Sequence, residues 1–436
     1  MSKQLLKALP ELLEERVISS DIAGNIQAYY RQKAESQPNR LFVIFGILGS
    51  LLVGLGIILI LAHNWSHLPP VAQLILAFVP PIIGIIVCFY SLQFRNDSDA
   101  WKESSAIFLF LGVGACLAML SQYYHLQEDV ADFVFRWMLL VFPLMYIMSS
   151  GISAVLYLAG ITFLGMSWGL SNDTSWPYWL MFLAALPFYL INQKKNPDTN
   201  FQRVLHYLFP LSAFLGTIGI LGPISGHITF MVLMALYGCY VLIGRSSWVE
   251  KSKSERNGFI IQSSIGMTVI LLISSFRDFW DDQYQVKDLI GTSLLDSPAL
   301  ILLFVFGMLF VLVYFFNQKD EVKDDDPIQI MVFPAYAVLF LLAPSAPMIV
   351  AILVNILLFA LGIIKIREGV RLQHFGTLNY GLVILTALIA CRFFDMEMSL
   401  ILRGMAFVTI GIGFFAGNYV MYRRIKTQQE LQHESA

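Results

Sequence analysis

The sequence predicts an all-α membrane protein that crosses the bilayer many times, and three observations lead to this prediction. Of the 436 residues, 57% are hydrophobic and only 13% are charged, whereas a soluble domain carries roughly 25% charged residues. The apolar runs are long and continuous and do not alternate with period two, which indicates helices and excludes barrel strands. Lys and Arg are also distributed very unevenly between the connecting loops.

The apolar runs set the expected number of membrane spans. A helix needs roughly 20 apolar residues to cross about 30 Å of hydrocarbon. On this basis we expect about fourteen spans, within a range of about 12 to 15. They are placed near residues 41–62, 71–92, 104–121, 134–149, 152–170, 176–191, 204–222, 227–244, 258–276, 297–316, 328–343, 346–364, 375–391 and 402–422.

The loop charges predict the orientation of these spans. With the amino terminus in the cytoplasm, 23 of the 28 Lys and Arg residues fall on the cytoplasmic side. The other five fall outside, namely Arg136, Arg277, Lys287, Arg392 and Arg403. Because cytoplasmic loops are enriched in basic residues, this distribution predicts an even number of spans with both termini in the cytoplasm.

Three regions follow along the chain. The apolar periodicity of residues 1–40 predicts a cytoplasmic pair of amphipathic helices. The second helix is expected to be capped by Ser19 or Ser20. This pair would dock on the membrane surface or bind a partner. Residues 41–422 form the bundle, and residues 423–436 form a cytoplasmic tail.

Small residues recur four apart in several spans, as Gly46, Ser50 and Gly54 do in the first. Such ridges let helix backbones approach closely in lipid. We expect them to serve packing within the bundle rather than dimerisation.

Several function classes find no support in the sequence. The net charge of −2 does not favour nucleic-acid binding, and no phosphate-loop, nucleophile-elbow, zinc-protease or dinucleotide fingerprint is present. No Asp, Glu, Lys or Arg lies at the centre of a predicted span, which disfavours a carboxylate proton relay through the membrane. The four cysteines lack metal or disulfide spacing. We therefore expect no cofactor and no metal, and whether the protein is an enzyme stays undecided.

Polar and aromatic residues collect where four predicted spans reach the outer face. An Arg on the outer face requires an explanation, because Lys and Arg are normally enriched in the cytoplasmic loops. An Arg can bind phosphate or carboxylate, and aromatic side chains beside it can stack on a sugar or a lipid headgroup. The resulting candidate ligand site consists of His63, Asn64, Trp65, Gln122, Tyr123, His125, Arg136, Arg277, Asp278, Arg392, Asp395 and Arg403.

Three interpretations of these outer residues stay open. They can be loop ion pairs with an interfacial aromatic belt, or they can form a ligand site. A metal site using His63, His67 and His125 is the third, although Trp65 and Pro69 indicate that the first helix ends there.

Three stretches carry a family resemblance. "EERVISSDIAGNIQAYY", "GILGSLLVGLGIILILAHNW" and "SQYYHL" together resemble the bacterial membrane proteins grouped as domain of unknown function 2157. The resemblance is strongest over residues 10–130. It implies a bacterial inner-membrane protein and brings no known reaction, substrate or site residue.

The favoured function is transport or flipping of an amphipathic or envelope-related solute, because the chain has many spans and a polar outer rim. One alternative is an enzyme acting at the outer leaflet on a lipid-linked substrate. Another is a scaffold or sensor that acts through residues 1–40. The expected partners are membrane lipids and a lipid-linked or amphipathic small molecule, and the sequence does not indicate an oligomeric state.

Overall fold

The structure is a computed structural model of the chain. It describes residues 68–126, 129–170, 176–195, 199–221, 226–246, 257–281, 297–317 and 328–393, together with residue 249 and scattered positions over 13–60 and 399–419. The described residues are helices joined by turns, with no strand among them. The predicted all-α class is therefore confirmed.

Thirteen helices have defined ends within the described residues. Those of the first half are α1 Pro70–Phe94, α2 Asp99–Tyr123, α3 Val130–Ile147, α4 Gly151–Leu170, α5 Trp176–Lys195, α6 Asn200–Leu221 and α7 Gly226–Gly244. Those of the second half are α8 Gly258–Ser274, α9 Asp278–Asp281, α10 Pro298–Asn317, α11 Ile328–Leu342, α12 Pro347–Arg371 and α13 Phe375–Phe393.

Within the described residues, nine helices are long and apolar enough to cross a membrane: α1, α2, α3, α4, α6, α7, α10, α12 and α13. Helices α8 and α11 are apolar but shorter, with 17 and 15 residues. The chain is thus a polytopic helical membrane protein. The number of fourteen, the side on which the termini lie and the three predicted regions stay predictions.

The chain divides into two compact units, Met1–Tyr157 and Leu158–Ala436. In unit 1, α1 and α2 pack antiparallel through small residues. A Cβ built on Gly84 would lie 2.9 Å from the Leu109 Cα, and one on Gly112 would lie 3.1 Å from the Pro80 carbonyl. Trp137 of α3 joins this pair by donating from Nε1 to the Phe110 carbonyl at 2.9 Å.

Two predictions about the start of unit 1 can be compared with described positions. The Ser19 hydroxyl accepts from the Ile22 backbone N–H at 3.5 Å, ahead of helical residues 21–26, so Ser19 is the N-cap. In the first span, a Cβ on Gly46 or Gly54 would meet Ser104 or Leu111 of α2, at 3.0 and 3.3 Å. Gly46 and Gly54 of this ridge therefore lie against α2 inside the unit, and Ser50 lies outside the described residues.

In unit 2, α7 packs against α6, α8, α10 and α11 and is buried along most of its length. Helices α4, α5 and α6 are linked by polar contacts in their core. The Tyr178 hydroxyl donates to the Ser212 carbonyl at 2.6 Å, and the Thr162 and Ser212 hydroxyls lie 2.6 Å apart. Internal hydrogen bonds of this kind satisfy polar groups where lipid offers none.

Helices α12 and α13 form a close antiparallel hairpin. A Cβ on Gly369 would lie 2.3 Å from the Leu378 backbone nitrogen, and one on Gly381 would lie 2.7 Å from the Gly362 carbonyl. The same hairpin buries an ion pair, in which the Lys365 ammonium lies 2.5 Å from the Glu368 carboxylate. Helix α12 continues through this ion pair to Arg371, seven residues past the end of the span predicted over 346–364.

Candidate functional site

A groove lies at one end of unit 1, where α2 ends and α3 begins. It encloses a volume of about 230 Å³ and is lined almost entirely by apolar surface. Arg136 is the one basic side chain in its lining, and it is exposed. The lining residues are Leu117, Leu120, Ser121, Tyr124, Leu126, Phe133 and Arg136.

The other predicted residues at this exit do not line the groove. Tyr123 packs against the buried cluster of Ala77, Ala115 and Met119, so it belongs to the core. Gln122 is exposed. His125 is exposed in the turn after α2 and has a φ of 50°, a left-handed conformation that closes helices. Of the predicted residues at this exit, Arg136 alone is placed at the groove.

In unit 2 the structure brings two of the predicted exits together. Arg392, near the end of α13, donates from Nη2 to the Ser275 hydroxyl at 3.0 Å, just after α8. Its guanidinium also lies 4.5 Å from the centroid of the Phe276 ring. Asn355 of α12 donates to the Ser275 carbonyl at 2.9 Å. Arg392 therefore joins the end of α13 to the segment after α8, and Asn355 joins α12 to the same segment.

The neighbouring predicted residues differ in their surroundings. Arg277 and Asp278 are exposed, and Asp278 begins the short helix α9. Trp280, in contrast, is 5% exposed and donates from its indole N–H to the Ser274 carbonyl at 2.7 Å. Its ring packs beside Tyr336.

The remaining candidates lie outside the described residues: His63, Asn64, Trp65, Asp395 and Arg403. His67 of the alternative metal site lies there too. Among the residues that the structure describes, no group of three His, Cys, Asp or Glu side chains is placed to hold a metal ion. The metal interpretation therefore stays untested.

Two polar arrangements were not predicted from the sequence. Glu103 of α2 accepts hydrogen bonds from the first residues of α4, namely the Ser150 hydroxyl and the Gly151 and Ile152 backbone N–H groups. Gln202 and His206 of α6 are fully buried. The signal for the second pair was their spacing of four residues in an apolar helix, which places both side chains on one face.

Arg392→Gln is expected to destabilise unit 2 by about 1–2 kcal/mol, because it removes a charge-assisted hydrogen bond and a cation–π contact. Arg367→Gln is the matched control, since Arg367 is exposed on α12 and exposed substitutions cost about 0.5 kcal/mol or less. Thermal unfolding of both purified variants measures the difference. Equal transitions in the two variants would show that Arg392 does not hold these helices together.

Comparison with known proteins finds a similarity over the first unit. Residues 10–154 match the family described as Predicted membrane protein (DUF2157), and this range coincides closely with unit 1, Met1–Tyr157. No curated protein and no solved structure matches the chain. The matched residues 10–154, which carry the groove and Arg136, are therefore similar to the predicted membrane proteins of that family.

Proposed function

We propose that the protein transports or flips an amphipathic molecule of the bacterial envelope that has an alkyl chain and an anionic head. The groove of unit 1 is the observation that carries this proposal. Its apolar lining suits an alkyl chain. Arg136 in that lining offers a planar, permanently charged donor set that matches phosphate or carboxylate.

The position of the groove along the helices supports a ligand taken from the membrane. The groove lies at the end of α2 and α3 that the loop charges assign to the outer face. An Arg on that side is disfavoured by the same rule, and an anionic ligand gives it a function. Localisation in the bacterial inner membrane, with both termini in the cytoplasm, is part of this proposal.

Photocrosslinking tests whether the groove binds such a ligand. A photoreactive amino acid replaces Leu126, which lines the groove and is 48% exposed. The control site is Leu139 of α3, which is 57% exposed and does not line the groove. In nanodiscs, radiolabelled hexadecyl phosphate is expected to crosslink at Leu126 and not at Leu139. Equal labelling at both sites would reject the groove as a binding site.

Arg136→Gln is expected to weaken binding of hexadecyl phosphate about tenfold, the loss expected from one hydrogen bond to a charged group. Hexadecanol, which has the same chain and no charge, is expected to bind equally to both forms. If the substitution weakened binding of the alcohol as much as binding of the phosphate, Arg136 would maintain the shape of the groove and would not bind the anionic head.

Transport is tested separately in proteoliposomes that contain a fluorescent anionic lipid. Dithionite quenches the outer leaflet, and protein-dependent loss of the protected signal measures flipping. Arg136→Gln is expected to slow this loss. Binding without translocation would contradict transport and would favour the lipid-substrate enzyme or the sensor acting through residues 1–40.

A further inference from the structure

The hairpin of α5 and α6 in unit 2 buries a group of polar side chains near its connection. The Tyr189 hydroxyl lies 2.7 Å from His206 Nδ1. Gln193 follows Tyr189 by four residues on α5, and Gln202 precedes His206 by four on α6. In an antiparallel hairpin this register sets Gln193 and Gln202 opposite each other, one turn nearer the connection. Gln193 is 4% exposed, and Gln202 and His206 are 0% exposed.

Three polar atoms of α6 have no hydrogen-bond partner among the described residues: Gln202 Nε2, Gln202 Oε1 and His206 Nε2. The tautomer of His206 does not change this. If Nδ1 accepts from Tyr189, Nε2 carries a proton to donate, and if Nδ1 donates, Nε2 is a free acceptor. A buried carboxamide and a buried imidazole nitrogen therefore both need an occupant that can donate and accept.

The walls around these atoms are aromatic and closely packed. Phe209 lies 4.6 Å from the Tyr189 ring, and Phe259 lies 6.3 Å from the His206 ring. A Cβ built on Gly258 would lie 2.3 Å from the His206 carbonyl oxygen. The start of α8 is therefore in close backbone contact with α6 beside His206. The flanking Lys194 and Lys195 are exposed at the end of α5.

We infer that this polar face binds ordered water, so that unit 2 contains a hydrated site at the end that the loop charges assign to the cytoplasm. Gln202 and His206 hold the water, and the Tyr189–His206 hydrogen bond orients the imidazole toward it. Water fits because the site presents donors and acceptors together, and buried water is the usual partner of such groups. The site is independent of the groove in unit 1.

Radiolytic footprinting in H2(18)O tests the proposal on the full-length protein in nanodiscs, because hydroxyl radicals form at bound water and label the side chains beside it. Tyr189 and His206 are expected to acquire (18)O although they are buried. Tyr178 is the matched control, since it is 0% exposed and its hydroxyl is bonded within the protein. Labelling of Tyr189 and His206 no greater than that of Tyr178 would overturn the proposal.

Gln202→Met separates a hydrated site from a dry one, because it keeps the length of the side chain and removes its polar atoms. With water present, the variant is expected to lose the label at His206 and to gain no thermal stability. A dry site predicts the reverse, a rise in melting temperature with unchanged labelling, which would overturn the proposal. If the variant fails to fold, the footprint of the unsubstituted protein decides alone.

Discussion

Gly219→Ala is expected to destabilise unit 2 by about 3 kcal/mol, near the upper end of the cost of overpacking. The new methyl carbon would lie 2.1 Å from the Gly165 carbonyl oxygen and 3.1 Å from the Met166 Cα. Both neighbours are backbone atoms of α4, so they cannot turn aside as a flexible side chain would. The helices α4 and α6 would have to separate, and the core contacts of Tyr178 would be disturbed with them.

Thermal unfolding of the purified protein in detergent measures this effect, with Gly307→Ala as the matched control. Gly307 lies in α10, and a Cβ built on it meets none of the described residues within 4 Å. The control is expected to keep or slightly raise stability, since alanine favours a helix over glycine by about 1 kcal/mol. A similar melting temperature for both variants would contradict the close approach of α4 and α6.

Glu103→Gln is expected to destabilise unit 1 by about 2 kcal/mol, in the range for hydrogen bonds to a charged group. The carboxylate accepts from Gly151 N–H at 2.8 Å and from Ile152 N–H at 3.1 Å. An amide cannot accept with both of its atoms, so one donor at the start of α4 loses its partner. The negative charge that complements the helix dipole is lost as well.

Asp97→Asn is the matched control for Glu103, because it makes the same change of acid to amide at an exposed position near the start of α2. It is expected to change the free energy of unfolding by about 0.5 kcal/mol or less. The comparison is made by thermal unfolding in one detergent. If both variants unfolded alike, Glu103 would not anchor the start of α4.

Much of the fold could be predicted from the sequence because hydrocarbon excludes charge and irregular backbone. The apolar run predicted over 71–92 matches α1, Pro70–Phe94. The same argument predicts where an apolar run ends and not where its helix ends, because charged residues need not end a helix: α12 extends to Arg371, past the run predicted over 346–364. Lys365 and Glu368 instead neutralise each other inside the hairpin, with side chains 8% and 11% exposed.

The candidate site was predictable only as a set of residue types at span ends. The loop charges predict that Arg136 and Arg392 both lie on the outer face, where Arg is unusual, yet Arg136 lines a groove and Arg392 joins the end of α13 to the segment after α8. No sequence pattern separates these roles, because Arg392 and its partner Ser275 are 117 residues apart. The spacing of Gln202 and His206 places both on one helical face, but it does not tell whether that face is packed inside the protein or exposed at its surface.

The hairpin of α12 and α13 has a consequence for how the chain is assembled in the membrane. Its helices are joined by Leu372–His374, and the His374 ring accepts from the Thr377 N–H at 3.1 Å, which starts α13 locally. Contacts between neighbours in sequence cost little chain entropy and form early. We expect the two helices to leave the insertion machinery as a preformed pair, with the Lys365–Glu368 ion pair already formed.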